Sequence, residues 1–367
     1  MTGAAIGLRR LASQRVLGER FERPADVVRW LGAVQAQDYN QALWAIGARL
    51  RRGTAALVER AIEGRQIVRT WLLRGTIHFA PPEDVRWLLA LCAPRLAVTE
   101  ERRRAQLGIT SGELDRSREL VCDALAGDRR LSRPDLFRLL QDAGIQTSGN
   151  RGYHILVQLT REALICIGPM QGKQPTLVLL DDWAPRAEAR DLSRAEALAD
   201  LAGRFVASRA PATDRDLATW AGITLADARS GLRSAAAPVL LTRELDGVEY
   251  WFPADQVAAA PPRGGRRRGY LLPAYDEFLL GYKDRAAQLP GEHAGKIVPG
   301  GNGVFTPLIV VGGEVAGTWG RRRGEMLTME VHPFALRVPE IAELVLADAE
   351  RYRRFLGLPA STPVEIG

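Results

Sequence analysis

Cysteine, histidine and lysine are scarce in this chain of 367 residues. The cysteines, Cys92, Cys122 and Cys166, form no CxxC pair and the four histidines no HxxxH pair, so neither a disulfide framework nor a structural zinc is expected. No uncharged apolar run approaches the roughly 20 residues that a membrane span needs. The opening MTGAAIGLRRLASQR lacks an apolar segment of signal-peptide length, so a cytoplasmic protein is expected. GxxxxGKS/T, GxGxxG and GxSxG motifs are all missing, which argues against a phosphate loop, a dinucleotide turn and a hydrolase elbow. PGGNGV is rich in glycine, but no lysine follows in the required place. No metal and no cofactor is expected. What is present is enough apolar residue, 46% of the chain, to bury a core, and enough length for several domains.

Charge carries more information. The chain holds 50 basic against 43 acidic residues, a net charge of +7. Only Lys173, Lys283 and Lys296 are lysines, so the other 47 basic residues are arginines and a Schiff-base lysine has few candidates. Coding bias accounts for the preference for arginine over lysine. It does not account for the positive balance, which favours a polyanionic partner.

The apolar pattern repeats along the chain as helices followed by a short β segment, which predicts an α+β fold. Pro24 starts a helix that reads as continuing to Val34, a further helix spans about Thr54 to Glu63, and IVRTWLLRGTIHFAPP reads as a hairpin broken at Gly75-Thr76. Farther on, Ser132 caps a helix that Gly144 ends, Asn150-Arg151-Gly152 leads into another, and LICIGPMQGKQPTLVLL resembles the wing of a winged helix. Thr213 and Thr224 cap the two helices of a helix-turn-helix, and a hairpin crosses Asp246-Gly247. Beyond Pro253, a linker rich in proline, glycine and arginine precedes FLLGY, an antiparallel β module turning at Gly312-Gly313, and a closing amphipathic helix. The expected domains are three tandem winged-helix units at 1–100, 101–185 and 186–255, then a C-terminal β module with its terminal helix at 256–367. Winged helices commonly bind DNA, and a tandem winged-helix transcriptional regulator without catalysis fits this layout too.

One stretch stands out. In LGAVQAQDYNQALW, a helical run ends in polar amides, Gln35 and Gln37, set among apolar residues. On composition alone, helix capping or ordinary surface amides account for the run. On a helix, residues two apart diverge, so the two amides share a face only where the helix breaks or extends. Together with WLLRGTIHF about 35 residues on, this segment resembles the HTH_42 winged-helix family of bacterial DNA glycosylases, and the resemblance runs over essentially the whole chain.

The resemblance implies that Gln35 and Gln37 form the family's catalytic Gln-apolar-Gln motif. The glutamine form goes with unhooking of interstrand crosslinks, and a Gln-apolar-Asp form with the broader alkylpurine branch. The implied protein is a monomeric, monofunctional glycosylase that hydrolyses the N-glycosidic bond of N7-alkylated purines in double-stranded DNA. Its implied roles are DNA repair and self-resistance in an antibiotic producer. Alkylation at N7 makes the purine cationic and a good leaving group, so positioning a water and stabilising the sugar cation suffice. A crosslinked purine cannot be fully flipped out of the duplex, so an open concave site is expected.

Further candidates follow. Asp38 is the rival carrier of the chemistry, and His78 is either a supporting residue or a core histidine. Arg74 and the runs Arg266-Arg267-Arg268 and Arg321-Arg322-Arg323 at glycine-flanked turns are candidate phosphate ligands, with salt bridges or a solvated charge run as the alternatives. The family's DNA-contacting hairpin maps onto the segment holding Gly301, Asn302 and Gly303. Trp30, Trp44 and Trp71 read as core, and Asp181-Asp182 as solvated loop charges.

Overall fold

Helices begin where the sequence signals them. Pro24 opens the helix Pro24–Leu31. Ser132 accepts from the Asp135 amide at the start of Arg133–Asp142, and Thr213 accepts from Asp216 at the start of Asp214–Ala221. These devices fill or remove the amide donors that a helix start leaves orphaned. The computed structural model describes residues 3–236, 239–258, 265, 267–323 and 326–367, and shows a mixed α+β fold. No helix among them is long and apolar enough to cross a membrane. The chain forms two compact units, one made of 1–58, 198–220 and 224–367, the other of 59–197 and 221–223.

In the second unit, the strands Val68–Trp71 and Ile77–Ala80 form the expected hairpin, with Trp71 opposite Ile77 and Val68 opposite Ala80. Its turn holds Arg74 at φ +58° and Gly75 at +73°. Arg69 then pairs with Ile167 of the strand Ile165–Gln171, which lies antiparallel to Gln174–Leu179, and Leu131–Ser132 pairs outside that. The helices Ser111–Leu125, Arg133–Asp142 and Arg151–Arg161 bury Val121, Leu125, Leu136, Leu140, Ile155 and Leu159 in one core with Ile165 and Leu177. Each such side chain contributes roughly 1.5–3 kcal/mol relative to exposure.

In the first unit, the helices Asp214–Ala221 and Leu225–Ala236 precede the hairpin Leu240–Leu245/Val248–Pro253. Asp246 and Gly247 take φ +52° and +76° at its tip, the pair of positive values that a two-residue type I′ turn requires. Ala212 bridges to Trp251 ahead of the first of these helices. The C-terminal sheet orders its strands Val364–Ile366, Leu327–Pro333, Glu314–Arg323, Leu308–Val311 and Gly269–Leu272. Gly312-Gly313 makes the expected turn, and the chain needs glycine there for a second reason. A Cβ on Gly313 would lie 2.5 Å from the Leu8 amide nitrogen, so the helix Gly3–Ser13 rests directly on this turn.

Three expectations for this region change. Residues 259–264 and 266 of the presumed linker lie outside the described residues, but its end, Gly269–Leu272, is a fully buried strand. FLLGY contributes the one-turn helix Glu277–Leu280 rather than a strand. The sheet is not wholly antiparallel, because Val364–Ile366 joins Leu327–Pro333 in parallel after the chain has crossed over through the helix Val338–Phe355. A parallel neighbour requires such a crossover.

Candidate active site

The helix Pro24–Leu31 does not continue to Val34. Gly32 ends it at φ +76°, ψ −43°, and Val34–Gln35 is extended strand. Burial then alternates: Val34 and Ala36 are buried, Gln35 is half-buried and Gln37 is exposed. The helix therefore ends before either amide, and Gln37 lies in a bend two residues past Gln35. The Gln35 Oε1 atom is buried and has no hydrogen-bond partner. A buried acceptor left unsatisfied costs about 1–3 kcal/mol, and Thr160 Oγ1, Trp183 Nε1 and Glu277 Oε1 are further buried polar atoms without a hydrogen-bond partner.

Both flanks of the motif are anchored. Upstream, Arg209 Nη1 donates to the Leu31 carbonyl at 2.9 Å, while its Nε and Nη2 donate to Glu277 Oε2 at 3.1 and 2.6 Å. Trp220 Nε1 donates to the same oxygen at 2.8 Å. Downstream, Asp38 is the N-cap of the helix Tyr39–Gly47, its Oδ1 accepting from the Gln41 amide at 3.1 Å. Gln41 Oε1 in turn accepts from the Ala274 amide at 2.9 Å. Trp44 then docks the helix, donating to the Leu271 carbonyl at 2.8 Å and packing its ring 4.9 Å from Tyr352 and 5.0 Å from Phe355. Asp38 thus caps this helix through Oδ1 and is itself exposed.

A second buried ion pair braces the same region. Arg49 forks onto Asp276 with two contacts of 2.9 Å and also donates to Gln14 Oε1 at 2.8 Å. Burial opposes the Arg49 cation, but the Asp276 charge and hydrogen bonds outweigh it and raise its pKa. Sequence reading missed Arg49, Arg209, Gln41, Asp276 and Glu277. The available signal was an arginine standing alone in an apolar run, as in AIGARL and RFVASRAP, with adjacent acids elsewhere in AYDEFLL. Long side chains of that kind are seldom buried unless paired.

His78 lies within the strand Ile77–Ala80 at 0% exposure, its Nδ1 2.9 Å from the Thr76 carbonyl. Arg74 is half-buried in the hairpin turn, and its Cγ would lie 3.1 Å from a Cβ placed on Gly222. Arg266 and the Arg323 side chain lie outside the described residues. Arg267 is exposed, and Arg268 lies 4.0 Å from buried Asp348.

Arg321 and Arg322 are not at a turn. They belong to the strand Glu314–Arg323, where neighbours alternate, so Arg321 sits 5.7 Å over the Tyr352 ring while Arg322 lies 3.5 Å from Glu330. The side chains of Arg321 and Arg322 therefore leave the strand on opposite faces. Gly301, Asn302 and Gly303 do not form a hairpin either. They lie in an exposed loop in which Asn302 Oδ1 accepts from the Val304 amide at 3.0 Å, a local turn that needs no strand partner. Trp44 and Trp71 are buried and Trp30 is half-buried, its Nε1 donating to the Ser13 carbonyl at 2.7 Å. Asp181 pairs with Arg86 and Arg186.

Similarity to known proteins extends over this whole arrangement. The solved structure of a DNA glycosylase AlkZ from Streptomyces sahachiroi superimposes with a TM-score of 0.81, each chain covered in full at 22% identity, and so shares the fold. An interstrand DNA cross-link repair glycosylase from the same organism is 26% identical over 313 residues, covering 80% of this chain and 81% of the relative. Residues 28–355 match the profile of DNA glycosylase AlkZ-like proteins, and the chain belongs to that family.

Proposed function

We propose that this protein is a monomeric, monofunctional glycosylase that releases N7-alkylated purines from double-stranded DNA, unhooks interstrand crosslinks and takes Gln35 and Gln37 as its catalytic pair. The observation that carries the reading is the buried, unpartnered Gln35 Oε1 at the end of the short strand Val34–Gln35, with the flanks of the motif tied down. An N7-alkylpurine leaves as a neutral base, taking the glycosidic electron pair onto N9, so no general acid is required. Water adds to C1′ of the sugar cation and gives its proton to solvent. The Gln35 carbonyl oxygen accepts one hydrogen bond from that water and brings partial negative charge near the sugar, while Gln37 holds the second side of the water.

The exposed position of Gln37 supports an open site that meets a nucleotide still tethered to the opposite strand. Family membership and the crosslink-repair relative support the substrate class. A tandem winged-helix scaffold is supported by the element order helix, strand, helix, helix, hairpin within 111–179, and by the similar order ending in the hairpin Leu240–Leu245/Val248–Pro253. On this reading the expected divisions at 1–100, 101–185, 186–255 and 256–367 are units of topology, and the two compact units of the chain gather parts of several. A role in self-resistance follows where the host makes a crosslinking agent.

The test is base release from duplex carrying N7-methylguanine or a crosslink, followed by alkaline cleavage of abasic sites. Gln35→Ala and Gln37→Ala should each lower single-turnover release about 10²-fold, the scale of losing one preorganised polar contact. Sequence-selective binding with no release above the spontaneous rate would overturn the reading in favour of a regulator.

A further inference from the structure

A cavity of about 400 Å³ opens in the first unit, away from the glutamines in sequence. Arg51 and Arg52 reach it from the loop after the helix Tyr39–Gly47, and Arg351 and Arg354 from the helix Val338–Phe355. Residues three apart on a helix share a face, so the second pair projects together. Among the described residues no acidic side chain lines the cavity, and Trp44, Gly47, Leu50, Gly53 and Thr54 complete its walls.

The cavity is built rather than incidental. Arg351 is only 11% exposed, held by Asp348 Oδ1 at 2.5 Å and by the Ala48 carbonyl at 3.0 Å, with its guanidinium 5.9 Å from the Trp44 ring. Gly47 permits the close approach of helix to helix, because a Cβ there would strike the Phe355 ring. Arg51 pairs with Glu22, whereas Arg52 and Arg354 have no ion-pair partner among the described residues. Positive charge is in excess around this wall. Burial and the neighbouring Arg351 together press the Arg20 pKa down to about 10.

We infer that this cavity is a phosphate-binding site in which Arg52 and Arg354 grip the anion and Arg351 is a fixed third cation. Arginine suits the task, since its planar fork meets two phosphate oxygens at once. The phosphate is either a backbone group of DNA, in which case the inference rests on the proposed function and extends it, or a free phosphate compound.

The experiment compares the full-length protein with Arg52→Ala/Arg354→Ala and with Arg60→Ala/Arg233→Ala, a pair of equal charge loss at other exposed arginines. Two probes are titrated at low salt: undamaged duplex DNA, with affinity followed against salt, and inorganic pyrophosphate by calorimetry. For a DNA phosphate, the cavity variant loses at least about tenfold in duplex affinity and its salt slope falls by about 1–2, while the control keeps both. For a free phosphate compound, pyrophosphate binding disappears in the cavity variant and duplex binding does not change.

The inference is overturned if neither probe distinguishes the cavity variant from wild type, or if the control variant loses as much. Gln35→Ala is run beside them. If it abolishes base release and leaves both titrations intact, a failure of the cavity is separated from a failure of the glycosylase reading.

Discussion

Arg209 ties Glu277 to the Leu31 carbonyl, so one buried guanidinium fixes the point where the chain leaves its helix for the Gln35-Ala36-Gln37 segment. The carboxylate takes Trp220 as well, and all three side chains are essentially inaccessible. Removing one member of a buried ion pair leaves an uncompensated charge, at a typical cost of about 3–5 kcal/mol. Arg209→Ala should therefore lose stability on that scale in urea denaturation. Arg209→Lys should recover little, because a single ammonium cannot replace a fork that serves both Glu277 and Leu31. A lysine variant of wild-type stability and full base-release rate would show that the fork is dispensable.

Gly32 sets the direction in which the motif departs. Its φ of +76° with ψ −43° is a conformation that a residue with a Cβ seldom adopts. A methyl group there meets nothing closer than the Trp220 ring at 3.8 Å, so the penalty of Gly32→Ala is backbone strain rather than collision. The expected loss is about 1–3 kcal/mol in urea denaturation, with a fall in base release as Gln35 is re-aimed. Unchanged stability and rate would mean that the turn relaxes freely.

Local structure was legible in the sequence wherever a single residue type has a strong local consequence. Ser132, Thr213 and Thr224 cap helices, Asp246-Gly247 turns a hairpin, and the break in RGT separates two paired strands. The glutamines stood out because amides among apolar residues are conspicuous, but the end of the helix ahead of them was not legible. It depends on Gly32 stopping the helix three residues before Gln35, and the apolar Ala33-Val34 pattern gives no sign of that stop. Arg209, Glu277 and the cavity arginines were illegible for another reason. Arg209 and Glu277 pair from far apart in the chain, the cavity arginines come together only in the fold, and one charged side chain among 47 arginines does not announce whether it is buried.

The thiols should be inert in the folded protein. Burial pushes the Cys92 thiol up to about 12 against the pull of Arg74 and Arg194, and burial likewise raises Cys166 and Cys122. The thiolate is the reactive form, so all three should resist modification near pH 8. Ellman titration of native protein should find no rapidly reacting thiol, with half-buried Cys122 the first to respond on mild destabilisation, and three thiols should appear in denaturant. Rapid reaction of Cys92 in native buffer would contradict its placement.

Acid stability should depend on Glu113. Burial alone would raise its pKa, but the Thr110 amide at 2.9 Å and the Arg151 guanidinium at 2.5 Å hold the carboxyl below the usual carboxylate range. A carboxylate whose folded pKa is depressed stabilises the protein at pH values above its unfolded pKa, and that contribution is lost as the pH falls through the folded value. Glu113→Gln should therefore be less stable than wild type near neutral pH. The difference should narrow steadily between about pH 5 and about pH 2, as the wild-type carboxyl takes up its proton and gives up its hold on Arg151. Urea midpoints of both proteins across that range provide the measurement. A gap that stays constant with pH would assign the loss to packing of the Thr110 capping box rather than to the carboxylate charge.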